Sequence, residues 1–177
     1  MDQARVARAL DDDQVAGLDS LPIEELRHRK GECTALETAT SYLRRLAQGR
    51  LDIVADEQRR RVSGEAPVEH EGLVESLTGI LSERSRTPGA TRLPAAMVPD
   101  EAEADTTELD AIAGPGTLSG LGDLDEAELV SLVDRLSAYE ATLSALRSSL
   151  FERIDAFQGE LVRRYKTGEA KVDTLLE

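Results

Sequence analysis

Tryptophan is absent from the 177 residues, phenylalanine occurs twice and tyrosine three times. A compact globule would be short of large anchors, whereas helix-helix seams of Leu, Val and Ala stay well supplied, since 40% of the chain is apolar. A single cysteine excludes an internal disulfide, and two widely separated histidines with that cysteine offer no metal-ligand spacing. Cys33 itself reads as a small residue in an apolar seam. No apolar run approaches the roughly 18 residues that a membrane span needs. The acidic stretch Asp11–Asp13 resembles neither a signal nor a transit peptide, so the expected compartment is the cytoplasm, with no membrane contact. Positive charge is also scarce: 21 Lys and Arg stand against 35 Asp and Glu, a formal charge of -14. That balance repels duplex DNA and argues against direct DNA binding, while a local Arg cluster can still grip a small phosphate ligand. It fits a basic protein partner instead.

What is present is helical periodicity. Residues 1–18 are short, acidic and without a strong repeat, and are expected to be a mobile arm. Around Asp19, Ser20 and Pro22 the sequence supplies helix-start chemistry, and Glu24 and Glu25 suit the positive end of a helix dipole. Leu26, Cys33, Leu36, Leu43, Ala47, Leu51 and Val54 then keep one stripe apolar, predicting a first long helix over 19–62. At 1.5 Å per residue such a helix is roughly 60 Å long, which suits a coiled coil better than a globule. A second helix, 125–171, opens with Asp125 and Glu128 at capping-box spacing. It continues as a heptad seam of Leu129, Leu132, Leu136, Tyr139, Leu143, Leu146, Leu150, Phe157 and Leu161. Between them, 63–124 holds all but one of the six prolines and reads as a linker, with a short amphipathic helix at about 69–85 around Leu73, Leu77 and Ile80. The acidic remainder, 86–123, is expected to be disordered, and 172–177 is a tail. The fold class is therefore all-α: two long helices paired as a coiled coil, with a short helix and a disordered linker between them.

The two helices also share a design. A shift of 103 residues superposes Leu18, Leu21, Glu25 and Leu26 on Leu121, Leu124, Glu128 and Leu129. The same shift carries Glu37, Ser41, Arg44 and Asp52 onto Glu140, Ser144, Arg147 and Asp155, and Arg50 onto Arg153; Gln48 meets Phe151. At 100° per residue these five positions fall within about 80° of one another, on the shoulder of the seam. One copy of such a stripe is ordinarily a solvated face. Two copies that keep each residue type are not, because solvation accepts Lys for Arg and Gln for Ser. Arg can fork onto phosphate or the O6/N7 edge of guanine, and a carboxylate can accept from guanine N1-H and N2-H2. Placed on antiparallel partners, the stripes form a pseudo-twofold site suited to a twofold guanine nucleotide. Pairing motif centre to motif centre makes residue numbers across the pair sum to about 192.

This doubled pattern resembles the RsiG family of anti-sigma factors, whose motif E-x3-S-x2-R-x3-Q-x3-D lies on each helix of an antiparallel coiled coil. Glu37, Ser41, Arg44, Gln48 and Asp52 match it in full, and Glu140, Ser144, Arg147 and Asp155 match the second copy. Phe151 stands where the family has Gln, which leaves open whether that position makes a polar contact or stacks on a base. The resemblance implies cyclic di-GMP as a regulatory ligand of these ten residues, and a sporulation sigma factor of the WhiG type as the partner held. The chain is not expected to be an enzyme, because its carboxylates are strung along helices instead of converging on a metal cage or a base-nucleophile pair. The alternative is a structural or adaptor coiled coil that binds a protein without nucleotide.

Overall fold

The structure is a computed structural model that describes residues 2–64 and 105–169, and every regular element among them is helical. α1 spans Gln3–Leu10, α2 Ile23–Ser63, α3 Thr107–Ala113, α4 Pro115–Ser119 and α5 Glu126–Thr167, with 3-10 turns at Asp12–Gln14, Leu18–Ser20 and Leu121–Asp123. Both long helices start and stop for local reasons. Pro22 precedes α2 and its carbonyl accepts from Leu26 N, Glu24 and Glu25 fill the first turn, and Arg60 and Arg61 fill the last. Asp125 and Glu128 close a reciprocal capping box at the start of α5: Asp125 N donates to Glu128 Oε2 at 2.7 Å, and Glu128 N to Asp125 Oδ1 at 2.8 Å. Gly64 and Gly168 take positive φ directly after the two helices, which is the usual left-handed stop. The second helix therefore ends at Thr167 and not at 171.

The described residues fall into two compact units. The first takes residues up to Arg45, Asp105, Thr106 and those from Glu140; the second takes Leu46 to Gly64 with Thr107–Tyr139. In the first unit α2 and α5 run antiparallel, since Arg27 Nη2, near the start of α2, donates to Tyr165 Oη near the end of α5. Its core joins Leu26, Cys33 and Leu36 to Leu150, Phe157 and Leu161. Fully burying side chains of this size is worth roughly 1.5–3 kcal/mol each. Burial also pushes the Cys33 thiol up, as suits a packing residue. In the second unit the end of α2 meets the start of α5, because Arg61 donates to the carbonyls of Leu124 and Leu121. Val54, Leu129, Leu132 and Leu136 are buried in this unit. Leu51 and Leu146 of the expected seams are only half-buried.

Two expectations are corrected. Of the mobile arm expected over 1–18, the described residues 2–18 are held in place: Asp2 caps α1 by accepting from Ala4 N and Arg5 N, and Val6, Ala9, Leu10, Val15 and Leu18 pack against the first core. Nor is 86–123 disordered throughout, because α3 and α4 lie inside it, with Leu109 and Ala113 of α3 fully buried. Helices of five to eight residues are marginal in isolation, and tertiary packing holds them. The short helix expected at about 69–85 and the tail 172–177 lie outside the described residues.

Candidate ligand-binding site

Eight of the ten motif residues belong to the first unit: Glu37, Ser41 and Arg44 from α2, and Glu140, Ser144, Arg147, Phe151 and Asp155 from α5. Gln48 and Asp52, half-buried on α2, belong to the second. The positions at i and i+4 link along each helix as helical geometry requires. Ser41 Oγ donates to Glu37 Oε1 at 2.6 Å, and Ser144 Oγ to Glu140 Oε1 at 3.0 Å.

The arginines cross over. Arg44 Nη1 donates to Glu140 Oε1 at 3.1 Å, while Arg147 Nε donates to Glu37 Oε1 at 2.9 Å and to Ser41 Oγ at 2.8 Å. Each Glu–Ser pair thus receives the arginine of the opposite helix, and the two arrangements are related by the 103-residue shift. Residue numbers across these pairs sum to 184 for Arg44 with Glu140 and for Arg147 with Glu37, and to 192 for Arg27 with Tyr165. The motif pairs thus cross eight below the 192 expected from the motif centres, a value that the Arg27–Tyr165 pair meets.

The symmetry is broken in two places. Arg147 holds its guanidinium carbon 4.6 Å from the centre of the Phe151 ring, and 38% of Phe151 remains exposed. Arg44 has no such support; its Nε is buried and has no hydrogen-bond acceptor. Asp155 is exposed on the same face of α5. Guanidinium edges, carboxylates and one aromatic face on a single side of a helix pair can hold an anion or a planar base.

The same repeat carries further residues that the motif left out. Glu57, Arg60 and Arg61 recur as Glu160, Arg163 and Arg164. Arg164 pairs with Glu160 and donates to the carbonyls of Leu21 and Leu18; Arg61 pairs with Glu57 and donates to those of Leu124 and Leu121. Arg153 donates to the carbonyl of Leu10 at the end of α1, and Arg50 to those of Leu109 and Ala113 in α3. Continuing the 103-residue shift beyond Asp155 finds the pairs of Glu57 with Glu160, Arg60 with Arg163 and Arg61 with Arg164, while Arg50 and Arg153 lie within the span of the stripe itself. Their task, clamping backbone, depends on short elements that periodicity does not reveal.

Among the described residues no group of His, Cys, Asp and Glu is placed to hold a metal ion, and no helix is long and apolar enough to cross a membrane. A family model described as RsiG-like matches residues 12–81 and 115–177. No curated protein matches the chain.

Proposed function

The chain belongs to the RsiG-like family, and from that premise we propose that it is an anti-sigma factor that binds cyclic di-GMP through the doubled motif and sequesters a WhiG-like sporulation sigma factor. The observation that carries this reading is the crossed pair of Glu–Ser–Arg clusters, one arginine from each helix meeting the carboxylate of the other. A pseudo-twofold set of guanidinium and carboxylate groups complements a twofold guanine dinucleotide: Arg44 and Arg147 address phosphate or the O6/N7 edge, and Asp52 and Asp155 accept from N1-H and N2-H2. Glu37, Ser41, Glu140 and Ser144 hold those arginines in place, while Gln48 and Phe151 complete the two copies. The protein acts in the cytoplasm by binding and without catalysis, contacts neither DNA nor membrane, and uses its charge of -14 against the basic surfaces of its partner. If nucleotide and sigma factor favour the same state, each raises the affinity of the other, so transcription from the partner's promoters is repressed at high cyclic di-GMP.

The test is titration calorimetry and thermal unfolding with cyclic di-GMP, with and without the sigma factor. Ligand at 100 times its dissociation constant should stabilise the fold by about 2.7 kcal/mol, and Arg147→Ala should remove that gain. No gain in the wild type, or equal binding of cyclic di-AMP, would overturn the nucleotide reading. Sigma-factor binding that ignores nucleotide would favour the second reading, a structural or adaptor coiled coil. One observation speaks for that alternative: Arg61 and Arg164, also kept by the repeat, serve the scaffold alone.

A further inference from the structure

The two copies of the motif are equal in sequence at Glu, Ser and Arg, yet their arginines are held differently. Arg147 is fixed through Nε, which donates to both Glu37 Oε1 and Ser41 Oγ, and its guanidinium carbon lies over the Phe151 ring. Its two Nη groups make no hydrogen bond among the described residues, so the edge of the fork faces outward from an anchored base. Arg44 presents the reverse. It reaches Glu140 with Nη1, an atom of the fork itself, while its Nε is buried without an acceptor. A ligand that takes both Nη atoms of Arg44 therefore has to share Nη1 with the Glu140 carboxylate, and no bond through Nε anchors the side chain meanwhile.

We infer that the half-site of Arg147, set by Glu37, Ser41 and Phe151, is the preformed docking half, and that the half-site of Arg44 assembles only after the first contact is made. Glu37 and Ser41 are then positioning residues acting through Arg147. Phe151, which breaks the repeat, supplies the ledge against which the guanidinium rests. An arginine already immobilised through Nε loses less side-chain freedom on binding than one held by a single fork atom, and it shares no fork atom with a carboxylate. This inference rests on the nucleotide reading above and adds an order of engagement to it.

Mirror-related substitutions test it. In titrations with cyclic di-GMP, Glu37→Gln should weaken the first binding step by about tenfold and Glu140→Gln by only about threefold, both within the span of one ordered side chain. Phe151→Gln, which restores the repeat, should narrow that difference. Equal losses, or a larger loss in Glu140→Gln, would overturn the assignment. A second readout needs no nucleotide: the Arg147 Nε–H resonance of the full chain should exchange slowly with water and accelerate in Glu37→Gln, whereas the Arg44 Nε–H should not respond to Glu140→Gln. If the wild type binds no cyclic di-GMP while these resonances behave as stated, the nucleotide reading fails and the positioning of Arg147 stands. Rapid exchange of Arg147 Nε–H in the wild type removes the positioning itself.

Discussion

The middle and the ends of the two long helices are copied by the same 103-residue shift, but their arginines do different work. At the ends, Arg164 uses Nε on Glu160, Nη1 on the carbonyl of Leu21 and Nη2 on that of Leu18, and Arg61 repeats the scheme with Glu57, Leu124 and Leu121. Each of the three nitrogens already donates to the protein, so no edge of the fork is wholly open to a ligand. In the middle, Arg147 keeps both Nη groups and Arg44 keeps a buried Nε without an acceptor. Repetition of a polar residue therefore marks a constraint without naming its kind. A guanidinium nitrogen that meets no acceptor in the protein separates the stripe arginines from the clamp arginines.

Removing the end clamps gives the largest effect that separates the two regions. Arg164 is buried, and Arg164→Ala removes the side-chain donor to the Leu21 carbonyl, leaves the Leu18 carbonyl with the Leu21 N–H, and cuts the pair with Glu160. Charge-assisted hydrogen bonds of this kind are worth about 1.5–3 kcal/mol, so a loss of about 2–3 kcal/mol is expected in urea unfolding. Arg61 is more exposed, 27% at its side chain, and Arg61→Ala should cost less. Nucleotide affinity measured on folded protein should change little in either variant. A large affinity loss in Arg164→Ala without loss of stability would erase the distinction between clamp and stripe.

A smaller effect distinguishes the two short helices that the clamps at Arg153 and Arg50 hold. α1 buries no residue completely, whereas α3 buries Leu109 and Ala113. Arg153→Ala should therefore release α1, with amide exchange over Gln3–Leu10 rising about fivefold for a loss of about 1 kcal/mol. Arg50→Ala should leave α3 docked through its apolar side chains. Equal release of both would show that the arginine, and not burial, holds each helix.

The long helices and the doubled stripe were legible because each rests on a period, 3.6 residues for the seam and 103 for the repeat, and the stripe's symmetry pointed to antiparallel partners. The crossing of the arginines was not legible, because it depends on side-chain reach. Leu129, Leu132 and Leu136 are buried where the heptad places them. The short helices were not legible. Gln3–Leu10 and Thr107–Ala113 are at most about two turns long, too short to show a period, and are held by Arg153 and Arg50 from far along the chain. Acidic composition was read there as disorder, although Val6, Leu10, Leu109 and Ala113 suffice to seat the elements. The unequal holding of Arg44 and Arg147 also escaped the sequence, since it depends on side-chain orientation around one substituted position, Phe151.

The smallest effect is an acid-dependent one at the end of α5. Hydrogen bonds from Arg163 and then Arg164 hold the Glu160 carboxyl down at about 2, from 4.5. A carboxyl depressed in the folded state binds protons less readily there than in the unfolded chain. Its contribution is therefore fully present above about pH 4.5 and is lost as pH falls through about 2. Part of the pair with Arg163 faces solvent and is screened, so the expected signature is a slope and not a collapse. Urea unfolding of the wild type and of Glu160→Gln, followed from neutral pH down to about pH 2, should give two curves that are furthest apart at the upper end and converge toward the lower. Arg163→Ala removes the larger of the two causes and should start the wild-type decline at higher pH, because the carboxyl then rests on Arg164 alone. Salt should flatten the difference in all three proteins if exposed Coulomb attraction contributes to it. Curves that stay parallel across the whole window would mean that Glu160 acts by packing its stem and not by its charge, and the end clamp would then consist of Arg164 and the two carbonyls only.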